Sequence, residues 1–219
     1  MFVINCKNYP VNALKVRKIA EDASRKFDVK VAIAPPQATL AYLARGSSIP
    51  VLAQHVDNRE QGGTTGYVIP ETLRDLGVRG SLINHSEHRI PQKDTVSLVR
   101  RLAGLDMVSI VCVGTPRELA KYVRLMEPTY FAIEPPELIG SGRAVSKQKP
   151  HVISAAADIL ESTGTRSGLL CGAGIVTGED VTAAVSLRAV GILVASGVIK
   201  APDIRKKVYE LAGAFARSR

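Results

Sequence analysis

Short apolar runs, many of them β-branched, recur along the whole chain. Between them, apolar residues return every three or four positions. The runs are Phe2-Val3-Ile4, Val29 to Ile33, Val51-Leu52-Ala53, Ser81-Leu82-Ile83, Met107 to Val111, Tyr130 to Ile133, Leu169-Leu170 and Ile192-Leu193-Val194. Their length and composition predict buried strands. In the intervening segments Leu14, Ile19 and Ala23 share one helical face, as do Leu98 and Leu102, and Leu119, Tyr122, Val123 and Met126 form a stripe after Pro116. The last segment is the clearest: Pro202 suits a first helical turn, and Ile204, Val208, Leu211 and Phe215 follow at helical spacing. These stripes read as packing faces.

Strand followed by helix, eight times over at spacings of roughly 20 to 40 residues, implies a parallel sheet with right-handed crossovers. Eight such units in 219 residues, with no linker, low-complexity segment or shift in composition, predict a closed (β/α)8 barrel, an α/β fold filling residues 1–219 as one domain.

In such barrels the reacting groups sit at the C-terminal ends of the strands. Strand one ends in Asn5-Cys6-Lys7, strand four in Asn84-His85-Ser86-Glu87-His88-Arg89 and strand six in Glu134. Strand seven runs into Cys171-Gly172-Ala173-Gly174, and strand eight into Ala195-Ser196-Gly197. Each feature alone has an ordinary explanation: a surface lysine, a satisfied loop histidine, an acid capping a turn before Pro135-Pro136, two tight connections. Their convergence on one end of a barrel is hard to obtain from structural demands alone, and it places a carboxylate, an imidazole and a cation around one mouth.

Composition narrows the picture. Hydrophobic content of 46% is that of an ordinary soluble protein. No apolar run approaches the roughly 20 residues of a membrane span, and the opening MFVINCKNYP lacks the basic-then-apolar order of a secretory signal. A cytoplasmic protein is expected, with Cys6, Cys112 and Cys171 as buried, reduced thiols. The net charge of +9, from 29 basic and 20 acidic side chains, can draw in anions. The basic residues are spread along the chain without interleaved aromatics, so they read as solvated surface, and neither nucleic acid nor membrane is expected as a partner.

Several motif readings fail. The cluster His85-Ser86-Glu87-His88 has no distant partners that would make it a zinc site. His85-x-Glu87 opens like a zinc deaminase signature, but P-C-x-x-C is missing. The turn CGAGIVTG reads G-x-G-x-x-x-G, with no acidic residue about twenty positions on for a ribose. No metal and no cofactor is expected.

From end to end, these residues resemble the triosephosphate isomerase family. INCKNY resembles its Asn-x-Lys at strand one, NHSEHR its G-H-S-E-R-R, AIEPPELIGSG its A-Y-E-P-x-W-x-I-G-T-G, and ILVASGVIK its F-L-V-G-G-A-S-L-K. AQHVDNREQGGTTGYVIPETLRDLG, from Ala53, is similar to the family's third loop, and the shortened segments are similar to its compact archaeal-type subgroup. The resemblance implies Glu134 as base, His85 as electrophile, Asn5 and Lys7 as groups that orient substrate and stabilise charge, and Glu87 as the acid beside the lysine. It also implies that the main-chain N–H groups of Gly140, Gly174, Ala195 and Ser196 hold the phosphate. A lid would follow, with Pro135-Pro136 as first hinge, then Glu137, then Leu138-Ile139-Gly140 as tip with Ser141 and Gly142 moving, and Arg143-Ala144-Val145 as second hinge. A homodimer or homotetramer would form through the third loop, Gln54 to Pro70, by way of Thr64, Thr65, Gly66 and Tyr67, with His88.

The chain departs from the family's pattern at Glu137, where the lid carries an aromatic, and at Ala195-Ser196 in place of Gly-Gly. Ile133 replaces Tyr, and Tyr67 and His88 replace a charge pair across the subunit interface. None of these removes a reacting group. The implied reaction interconverts dihydroxyacetone phosphate and D-glyceraldehyde 3-phosphate through an enediolate. The alternatives are another phosphate-binding barrel enzyme, either a sugar-phosphate isomerase or an aldolase, or a catalytically silent anion-binding barrel. An aldolase would need a Schiff-base lysine, commonly on strand six, where this chain has Glu134.

Overall fold

The predicted runs form β1 (Phe2–Asn5), β2 (Val31–Ala34), β3 (Leu52–Ala53), β4 (Gly80–Ile83), β5 (Val108–Val113), β6 (Tyr130–Ile133), β7 (Gly168–Cys171) and β8 (Gly191–Val194). The computed structural model describes residues 1–138 and 144–218, apart from the side chain of Pro136. All strand pairings are parallel, in the order β2-β1-β8-β7-β6-β5-β4-β3. The seam between β2 and β3 is joined by a parallel bridge of Ile33 to Val51, and the Ile33 N–H donates to the Pro50 carbonyl at 3.1 Å. The result is a nearly closed barrel of eight strands.

Helices return the chain from the top of one strand to the bottom of the next. They are α1 (Ala13–Phe27), α2 (Leu40–Ala44), α3 (Pro70–Asp75), α4 (Gln92–Gly104), α5 (Pro116–Tyr122), α6 (Val145–Gln148), α7 (Pro150–Thr163), α8 (Gly178–Ser186), α9 (Ser196–Ile199) and α10 (Ile204–Arg217). Local chemistry fixes several ends. Asn12 caps α1 by accepting the Lys15 N–H, and Thr177 and Asp180 form a reciprocal capping box at α8.

The two-residue period of the strands sorts their side chains between two cores. Val3, Ala32, Ala34, Leu52, Leu82, Ile110, Cys112, Ala132, Leu170 and Leu193 fill the lumen. Their strand neighbours, such as Phe2, Ile4, Ile33, Ile83, Val111, Phe131 and Ile133, pack outward against the helices. The lumen is thus plugged below by apolar layers, leaving only its upper end for chemistry.

Two helix expectations change. The stripe through Met126 outruns its helix: α5 stops at Tyr122, although Met126 is still buried. The Met126 N–H still donates to the Tyr122 carbonyl at 3.0 Å, so a turn carries the stripe past the helix end. Pro202 lies outside α10, because Asp203 takes the cap by accepting the Lys206 N–H at 3.0 Å. The third loop has a closed neck, where Asp57 N–H donates to the Val68 carbonyl at 2.8 Å and Val68 N–H to the Asp57 carboxylate at 2.7 Å. Thr64 to Tyr67 are exposed at its tip.

Candidate active site

Strand parity builds the site. Asn5 is two residues above Val3, Glu134 two above Ala132 and Gly172 two above Leu170, so all three continue lumen-facing rows. The Glu134 N–H donates to Val113 O at 2.8 Å and the Gly172 N–H to Ile133 O at 3.0 Å, which extends the ladder past the last strand residues and holds both rigidly. A cleft opens there, lined by Asn5, Lys7, His85, Glu134, Gly172, Gly174 and the turn from Val194 to Gly197.

Glu134 is 4% exposed, and among the described residues its Oε2 has no hydrogen-bond partner. Burial raises its pKa above the ordinary carboxyl value; the His85 imidazole, the Cys112 thiol and Lys7 pull the other way without cancelling it. The Cys112 thiol is near enough to feel this carboxylate, and it is pushed up by burial and by Glu134. Cys6 and Cys171 are pushed up to about 12, again by burial first, so these free cysteines stay thiols.

His85 is buried beside this carboxylate, with Nε2 at 3.6 Å from Glu134 Oε2. Its Nδ1 accepts the Glu87 N–H at 3.2 Å. A nitrogen that accepts carries no proton, so this bond assigns the neutral tautomer with the proton on Nε2, facing the cleft. The Glu87 backbone N–H, by occupying Nδ1, thus decides which ring nitrogen carries the proton.

Lys7 sits in the left-handed region at φ +46°, a costly conformation for a lysine. Its N–H donates to Asn5 Oδ1 at 2.9 Å, which holds the turn, and its Nζ donates to Glu87 Oε1 at 2.6 Å. Glu87 is therefore the acid beside the lysine, by its side chain, while its backbone orders His85.

The other wall belongs to the loop after β7 and to α9. Gly174 has φ +71°, a conformation that glycine adopts without cost. The amides of Ser196 and Gly197 begin α9 and have no intrahelical acceptor. Gly197 is pressed against the Ile175 carbonyl, where an added Cβ would come within 2.2 Å. Asp180 braces this wall: it accepts the N–H groups of Val176 and Thr177 at 3.0 and 2.9 Å and pairs with Lys147 of α6 at 2.9 Å. The Val145 N–H donates to the Ala173 carbonyl at 3.1 Å, tying the start of α6 to the same loop.

Of the expected lid, Pro135 to Leu138 and Ala144-Val145 are described; Ile139, Gly140, Ser141, Gly142 and Arg143 lie outside the described residues. Residues 136–138 form a short 3-10 turn, Leu138 is buried, and Glu137 pairs with Lys149, which holds its carboxyl below the ordinary value. Tyr67 is 45% exposed, with the Arg59 guanidinium over its ring. His88 stacks on His55 of the same chain, with ring centres 3.7 Å apart.

Three residues at the site escaped the sequence reading. Cys112 lies mid-strand and reads as core, Gly172 reads as turn filler, and Asn84 reads as the residue before a histidine. Only spatial neighbours reveal the first two; for Asn84 a signal existed, since asparagine is favoured where backbone turns left-handed. Among the described residues, no group of three or more His, Cys, Asp or Glu side chains could hold a metal ion.

Comparison with known proteins converges on one family. A family model described as Triosephosphate isomerase matches residues 1–211. The chain is 49% identical over 221 residues to the triosephosphate isomerase of Cenarchaeum symbiosum, covering 99% of this chain and 98% of that protein. It is 42% identical over 215 residues to that of Methanothermus fervidus, covering 96% of each, and 41% identical over 203 residues to that of Sulfolobus acidocaldarius, covering 93% and 87%.

Proposed function

The chain belongs to the triosephosphate isomerase family, and from that premise we propose how its own residues carry the reaction. The enzyme is an isomerase that interconverts dihydroxyacetone phosphate and D-glyceraldehyde 3-phosphate. A carbon-bound proton beside a carbonyl is weakly acidic, so the enzyme must both remove it and stabilise the enediolate left behind. Glu134 removes the proton from one carbon and returns it to the next; its burial makes it a stronger base than a solvated carboxylate, and a positioned base contributes about 10²–10⁴-fold. The His85 Nε2–H hydrogen-bonds the substrate oxygens as they gain charge, and Lys7 adds a cation beside them. Asn5 holds Lys7 in place and orients the substrate.

Gly174, Ala195 and Ser196 offer main-chain N–H groups to the phosphate, with Gly140 joining from the lid. Pro135 to Val145 closes over the intermediate, keeping water from an enediolate that would otherwise eliminate phosphate. The convergence of Glu134, His85 and Lys7 on one cleft, with the imidazole Nε2 at 3.6 Å from the carboxylate, is the observation that carries this reading.

The chain works as one domain over residues 1–219, in the cytoplasm, as a homodimer or homotetramer. No helix among the described residues is long and apolar enough to cross a membrane. The exposed tip at Thr64, Thr65, Gly66 and Tyr67 supports docking into a second copy near His88. Light scattering on the purified chain would give a dimer or tetramer mass, and a stable, fully active monomer would refute this part. A coupled assay with glyceraldehyde 3-phosphate tests the activity; absence of turnover in the folded protein would refute it.

A further inference from the structure

Asn84 is 2% exposed and has φ +60°. Where the family pattern G-H-S-E-R-R has glycine, this chain has a side chain, and both of its polar ends are used. Oδ1 accepts the Ile90 N–H at 3.3 Å, and Nδ2 donates to the Cys112 carbonyl at 3.1 Å. Residues 85 to 89 thus form a small loop whose two ends, Asn84 and Ile90, are joined by one amide. Inside it, the His88 N–H donates to the His85 carbonyl at 2.8 Å and the Glu87 N–H to His85 Nδ1. The register continues from Leu82↔Ile110 and Ile83↔Val111, so Asn84 stands opposite Cys112, whose thiol adjoins Glu134.

We propose that Asn84 is a positioning residue, clamping the His85 loop and fixing it to the strand beside Glu134. Glycine would supply the left-handed backbone without cost but would leave the base of the loop unfastened. The imidazole would then lose both its aim and the steady acceptor bond that selects its tautomer. The inference rests on the reading of His85 as electrophile and Glu134 as base.

The test uses the full chain with Asn84→Gly and Asn84→Ala, measuring kcat, KM, thermal stability and the ¹⁵N imidazole spectrum of His85. Both variants should lose about 10- to 100-fold in kcat, the scale of a misplaced catalytic group, while KM changes much less. The His85 spectrum should shift from one tautomer to a mixture. Asn84→Gly with wild-type kcat and an unchanged tautomer would overturn the proposal, whatever its melting temperature. A defect confined to Asn84→Ala would also overturn it, because backbone strain alone would then account for the effect. His85→Asn serves as the control: undiminished turnover there would sink the electrophile reading and this proposal together. Loss of turnover in His85→Asn beside a normal Asn84→Gly would sink the clamp alone. If neither Asn84 variant folds, hydrogen exchange on the wild-type protein decides. Protection of the Ile90 amide equal to that of His88 supports the clamp, and exchange of Ile90 at open-loop rates contradicts it.

Discussion

His85 Nε2 stands 3.6 Å from Glu134 Oε2, with side chains only 7% and 5% exposed. That separation is too long for a hydrogen bond. The two groups therefore do not satisfy each other, and the buried carboxylate oxygen stays unpartnered among the described residues. A native fold rarely leaves such a group. The carboxylate lines the cleft that it shares with Lys7 and His85.

The first consequence concerns protonation. Burial holds the pKa of Glu134 above the ordinary 4.5 of a glutamate. Titration of its carboxyl carbon by ¹³C NMR should give a midpoint above 4.5, with the acid limb of kcat/KM following it. A midpoint at or below 4.5 would contradict the assigned cause.

Stability should move the opposite way from activity. A carboxyl whose folded pKa is raised favours the fold in its neutral form; that contribution is full below the unfolded pKa and is lost as pH rises through the folded one. At neutral pH the native state therefore carries a buried charge whose desolvation its neighbours offset only in part. Glu134→Gln should relieve a cost of about 1–3 kcal/mol and raise Tm by roughly 2–4 °C for each kcal/mol in a chain of this size. The gain should vanish below about pH 4. Equal melting temperatures at pH 7 would count against the unpaired carboxylate.

Gly172 packs directly against the Glu134 side chain. A Cβ there would meet Glu134 Cγ at 2.3 Å and Cδ at 2.9 Å. Gly172→Ala must therefore displace the carboxylate, and kcat should fall about 10²-fold, with overpacking costing about 1–3 kcal/mol. Gly164 provides the contrast: it is left-handed at φ +64° with nothing within 4 Å. Gly164→Ala should cost about 1–2 kcal/mol of stability and leave kcat unchanged. Steady-state kinetics beside calorimetry separates the two.

The barrel was legible because its rule is periodic: eight apolar runs, each followed by a helical stripe, need only spacing to be recognised. The candidate site residues were legible for a related reason: the ends of predicted strands mark the mouth, where Asn5, Lys7, His85 and Glu134 line one cleft. What spacing does not carry is the second neighbour. Cys112 and Gly172 gain meaning only beside Glu134, and the His55–His88 stack joins loops 33 positions apart in sequence. The tautomer of His85 depends on one backbone amide whose direction no residue name encodes. Helix ends failed where two local preferences compete, as when the Asp203 carboxylate displaces Pro202 from the start of α10.

The central claim is that Glu134, fixed by its strand, carries the proton. The most direct test is Glu134→Asp in a coupled assay beside the wild-type enzyme. One methylene fewer withdraws the carboxylate by about 1.5 Å while leaving the phosphate wall untouched. KM should stay near wild type, and kcat should fall by about 10²-fold or more. A variant that turns over at the wild-type rate would contradict the account.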